Sequence, residues 1–254
     1  MEEVYFFGLL LIGWIGWIGW IGWQRVLTRS REGSLRQVES VLFPFPLVIG
    51  LGYFSVLMSA LLLMSGYTGV GCVVIGYFFL MNQAGFKVSR MFGLDAFPLS
   101  KMICAALGLT AIGLAPTFLL GGVNELICWI LKMELSSQPV IDEFLMMTER
   151  TEILSFIGLS VIAGPVAEEI LFRGLLYPAL RDRLGIKLAV VLSSALFALV
   201  HFHAPTFLPL MFCGVMLAMA YEYSGSLLLA ILIHAISNLI SVLGVLFLTP
   251  FIVK

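Results

Sequence analysis

Apolar runs of about twenty residues, without alternation, are the feature that most constrains this chain. They recur along its 254 residues, 61% of which are hydrophobic and only 11% charged. A soluble domain carries about 25% charged residues, so the chain is read as an integral membrane protein. Inside a bilayer every backbone N–H and C=O must be satisfied within the protein, which leaves helices or a closed barrel. Barrel strands are about ten residues long and alternate in polarity, and these runs do neither. The expected fold is therefore all-α, a polytopic bundle of about eight transmembrane helices.

With about twenty residues per crossing as a ruler, the spans fall near 4–24, 43–65, 67–86, 99–121, 153–180, 188–204, 206–222 and 227–249. Glu2 and Glu3 stand where a signal peptide would be basic, so the first run reads as a retained helix. If the spans alternate, Arg25, Arg29, Arg31, Arg36, Lys87, Arg90, Lys101, Arg181, Arg183 and Lys187 share one side. The positive-inside rule makes that side cytoplasmic and puts the amino terminus outside. In a prokaryote this would be the cell membrane. Segment 133–152 is then an extracytoplasmic, acidic loop with room for a short surface helix. The repeat IGWIGWIGWIGW at 12–23 spirals its tryptophans round a helix and reads as a loosely packed anchor. Cys72, Cys104, Cys128 and Cys213 form no CxxC pair and read as small packing residues. The net charge of −1 gives no sign of nucleic-acid binding.

The polar residues inside the late spans set the functional question. An acidic or basic side chain at a membrane helix centre costs about 2.5–3.5 kcal/mol on an insertion scale, so such residues are functional candidates by default. In AGPVAEEILFRGLLYPAL, residues 163–180, Glu169 and Arg173 are one turn apart on one face, the spacing of an internal ion pair. That leaves Glu168 about 100° round the helix. Gly164-Pro165 precedes them. The proline is expected to remove the backbone bond to Val161 and restart the helix, placing Glu168 near a new positive helix end. Phe197 precedes His201 by one turn, and His234 precedes Asn238 by one turn. Each feature has a plain structural reading: an ion-pair lock, a histidine on a backbone carbonyl, and for His203 a polar helix end. Their joint occurrence on three membrane helices points to a site.

In order along the chain, EExxxR (Glu168, Glu169, Arg173), FxxxH (Phe197, His201) and HxxxN (His234, Asn238) resemble the motifs of the CAAX-protease and bacteriocin-processing family. These are intramembrane glutamic-type endopeptidases related to the type II CAAX prenyl proteases. The likeness runs over about residues 155–240 and includes SGSLLLAILIHAISN. It divides the chain into 1–152, without a match, and a catalytic core at 153–254. The resemblance implies that Glu168 activates a water and His201 orients it or moves its proton. His234 and Asn238 would stabilise the oxyanion, with Glu169, Arg173 and Phe197 in support. It implies no cofactor and a membrane-associated peptide or protein substrate, such as a prenylated carboxy-terminal peptide or a leader. Two alternatives stand beside it. Zinc on Glu168, His201 and His234 could activate the same water, although no HExxH is present and Arg173 would oppose a cation. An immunity, scaffold or transport protein could also bury such groups, although the polar motifs show no inverted repeat.

Overall fold

The computed structural model describes residues 53–54, 57–58, 66–83, 92–93, 98–133, 135 and 137–252. The first expected span, most of the second, the tryptophan repeat, the arginines at 25–36, Lys87 and Arg90 lie outside these residues. The described residues are mostly helical and include no strand. Among the described residues, four helical runs are long and apolar enough to cross a membrane: Leu99–Ile130, Arg150–Leu199, Ala204–Ser224 and Leu227–Phe247. A shorter apolar helix lies at Gly66–Leu80. The chain is an all-α integral membrane protein.

The helices are α1 (Gly66–Gln83), α2 (Leu99–Ile130), α3 (Pro139–Met146) and α4 (Arg150–Ile157), then α5 (Gly164–Glu169), α6 (Tyr177–Leu199), α7 (Phe207–Ser224) and α8 (Leu227–Ile252). Helix α2 runs nine residues past the expected end of its span, and α3 is the short helix expected in the loop. On α2 the residues turned inward are Met102, Ala106, Thr110, Gly113, Asn124 and Cys128, spaced three or four apart apart from one longer interval. Its large apolar residues Ile112, Phe118 and Leu119 are instead at least 70% exposed. Small and polar groups inside with bulky ones outside is how a helix packs when lipid is the solvent. None of the four cysteines is in a disulfide.

The chain forms two compact units, 1–91 with 167–189, and 92–166 with 190–254. In the first, α1 packs on the stretch Ile170–Leu176. In the second, α2, α7 and α8 pack on one another, and α8 also meets the stretch Gly158–Ala163. Close approach there depends on glycine. A Cβ on Gly214 would lie 2.9 Å from that of Ser194, and one on Gly113 would lie 2.6 Å from the Met216 sulfur.

The breaks between helices follow from local chemistry. Gly185, with φ 75°, interrupts α6 between the fifth and sixth expected spans. Gly225 ends α7 in the left-handed conformation, where its N–H bonds the Tyr221 carbonyl at 2.9 Å. Ser226 follows and accepts the Leu229 N–H at 3.2 Å, the bond of an N-cap, while donating to the Phe92 carbonyl at 3.0 Å.

One expectation is corrected. The helix does not restart at Pro165. Gly158–Ala163 is π-helical, α5 follows without a break, and Ile170–Leu176 is π-helical again. The Gly164 N–H reaches back five residues to the Leu159 carbonyl. The wider turn ahead of the proline absorbs the register that a missing N–H would otherwise disrupt. No new helix end forms beside Glu168, so a helix-dipole effect on its carboxylate is removed from the account.

Candidate active site

Each polar residue singled out in the sequence has a definite setting. Glu168 and Glu169 close the short α5, between the two π-helical stretches. π-helical turns are rare and are frequently found at functional sites. Glu168 is half-buried, whereas Glu169 is fully buried. Glu169 accepts from Arg173 across 2.9 Å, the one-turn ion pair expected from the spacing. Arg173 is also fully buried, with its guanidinium carbon 5.9 Å from the centre of the Phe172 ring, within cation–π range. Phe172 meets Phe54 edge-on at 5.4 Å. Gly174 lets Tyr77 of α1 lie so close that an added Cβ would sit 3.1 Å from its hydroxyl. Every residue from Glu169 to Ala179 is buried. The ion pair is buried together with the residues that follow it.

The second unit gathers both histidine motifs around one phenyl ring. Phe197 is buried, and the imidazoles of His201 and His234 pack on it edge-on at 5.0 Å and 5.7 Å. The histidines of FxxxH and HxxxN are 33 residues apart in sequence, and the shared phenyl brings them together. His201 Nδ1 lies 2.7 Å from the Phe197 carbonyl. A carbonyl only accepts, so Nδ1 carries the proton and Nε2 is left as the basic nitrogen. His234 is buried on α8. One turn on, Asn238 donates from Nδ2 to the Ser160 carbonyl at 2.9 Å, tying α8 to the π-helical stretch that precedes α5.

His201 stands where α6 has just ended. Phe202, the next residue, has φ 51° and is 84% exposed. A left-handed conformation costs a residue with a Cβ about 1–2 kcal/mol, and such strain concentrates at functional positions. The following turn is held from outside the motifs. Asn124 of α2 donates to the Ala204 carbonyl at 2.7 Å and accepts the Leu208 N–H at 3.2 Å. Gln138 donates to the Thr206 hydroxyl at 3.0 Å, which also lies 3.0 Å from His203 Nδ1. Asn124 and Gln138 escape a sequence reading because neither belongs to a motif. The one available signal is the polar pair Asn124-Glu125 late in a long apolar run.

An open cavity of about 520 Å³ borders the same turn, lined by Ile127, Cys128, Met133, Phe202, His203 and Phe207 among others. As for metal, Glu168 belongs to one unit and both histidines to the other. Taken by itself, neither unit groups three His, Cys, Asp or Glu side chains among its described residues.

The described helices thus combine a buried ion pair in one unit with two histidines on one phenyl ring in the other. Residues 150–240 match the family model of the type II CAAX prenyl endopeptidase Rce1-like proteins, so this stretch of the chain is similar to those proteases. The match takes in all three motifs and excludes Asn124 and Gln138. No curated protein and no solved structure matches the chain.

Proposed function

We propose that this protein is a glutamic intramembrane endopeptidase, with 153–254 as its catalytic core. Glu168 takes a proton from water, and the hydroxide adds to the scissile carbonyl. The second O–H of that water stays intact and donates a hydrogen bond to the Nε2 of His201, which fixes its direction. His234 and Asn238 donate to the oxyanion, where one such donor is worth on the order of 3 kcal/mol of barrier. The C–N bond then breaks, and protonated Glu168 returns its proton to the leaving amine. Glu169 and Arg173 hold the helix that carries the base. No metal takes part. The substrate is a prenylated CAAX-type peptide, or another carboxy-terminal or leader peptide presented at the membrane. The chain crosses the bilayer about eight times with its amino terminus outside.

One observation carries the reading. His201 and His234, one from each histidine motif, pack on the same buried ring, Phe197, in a stretch matched by a protease family. A histidine that only meets a carbonyl of its own helix has no need of the other motif's histidine beside it. The test is turnover of a fluorogenic peptide bearing an S-farnesyl cysteine four residues from its carboxyl end. Glu168→Gln keeps the shape of the half-buried side chain and removes the base. Turnover should fall at least about a hundredfold at unchanged protein level. Near-normal cleavage would overturn the mechanism. Activity should also survive strong chelators, while loss that zinc restores would move His201 and His234 to ligand roles.

A further inference from the structure

The start of α7 lacks a cap of its own. Thr206 occupies the N-cap position but makes no capping bond, because its hydroxyl faces His203 and Gln138. The Leu208 N–H in the first turn is satisfied instead by Asn124, 84 residues earlier. The same amide donates to the Ala204 carbonyl at 2.7 Å. Asn124 is buried, and both ends of its amide grip the backbone of one turn. That turn begins at His201 and passes through the left-handed Phe202. Strain of this kind persists only where the surroundings over-determine the backbone.

We infer that Asn124 is a positioning residue for catalysis, acting as an N-cap supplied from another helix that holds the turn carrying His201. It touches neither substrate nor reacting atoms. It fixes the backbone on the carboxyl side of His201, while the Phe197 carbonyl fixes the ring from the other side. This role lies outside the family-matched segment, so the first part of the chain contributes to the site through α2. The inference rests on the proposed catalytic part of His201.

The chain has three histidines, so selective ¹⁵N labelling of the full-length protein in detergent gives one imidazole signal set for each. In the wild type His201 should report the Nδ1–H tautomer. In Asn124→Ala its signals, with those of His203, should shift or average between tautomers while His234 stays unchanged. On the farnesylated peptide, kcat should fall about tenfold with KM within about twofold, as for loss of alignment rather than of binding. Phe202→Gly added to Asn124→Ala should recover most of that loss, because glycine takes the left-handed conformation without the clamp. If Asn124→Ala does not accumulate, Asn124→Asp keeps the acceptor for Leu208, lacks the donor to Ala204 and supports the same comparison. An unchanged His201 spectrum, or equal shifts of all three histidines, would overturn the role of Asn124. Undiminished turnover in Glu168→Gln would remove the catalytic reading, while the histidine spectra still decide whether Asn124 sets the turn.

Discussion

Arg173 and His201 both bring polar groups into membrane helices, but they are stabilised by opposite means. Arg173 pairs locally with a glutamate one turn away and an aromatic ring beside it, and the whole stretch from Glu169 to Ala179 is buried. His201 is half-buried at a helix end, next to a strained residue, in a turn held by an asparagine 80 residues from its carbonyl partner. The difference teaches where each region can fail. The first depends on charge balance in a buried stretch, where losing one partner costs the other its ion pair. The second depends on backbone geometry, where losing a contact lets the turn relax and displaces chemistry before it threatens the fold.

The sharpest way to break this comparison is to remove one charge. Arg173→Ala removes the ion-pair partner of the buried Glu169 and should destabilise the protein by about 3–5 kcal/mol, read as loss of folded protein in a detergent unfolding series. Glu169→Leu with Arg173→Met should recover most of that loss, since a buried pair replaced by apolar groups is often neutral. If the single change is silent, the pair is not the lock described.

Gly174→Ala probes the packing of the same region. The added methyl meets the Tyr77 ring and hydroxyl at 3.1–3.2 Å, so overpacking should cost about 1–3 kcal/mol. An effect below the scatter of the unfolding curves would mean that Tyr77 moves aside, and the region is softer than its burial implies.

The smallest effect belongs to the turn, and its sign is reversed. Phe202→Gly removes left-handed strain and little buried surface, so it should stabilise by up to about 1 kcal/mol. A loss of stability would show that the phenyl ring packs in a way its 84% exposure does not suggest, and the contrast with Arg173 would narrow.

Membrane residence, helical class and the Glu169–Arg173 pair were legible in the sequence for one reason: each depends on spacings of a turn or on runs of about twenty residues. Hydrophobicity along a run and an i,i+4 offset are both read directly from residue order. The helix breaks were partly legible too, since Gly185 and Gly225 fall between apolar runs. The course of the helix at Pro165 was not. A proline permits either a break or a π-turn, and the choice rests on which carbonyl the preceding N–H reaches once the helix is packed. The partners of the histidine region were also decided in three dimensions. Asn238 meets the carbonyl of Ser160, Asn124 meets Ala204 and Leu208, and Phe197 lies against both His201 and His234. A backbone carbonyl is present at every position and an asparagine carries no period, so residue order holds no mark of such pairings. Residue type and periodicity determined which groups would have to be buried, and helix packing decided what each would find there.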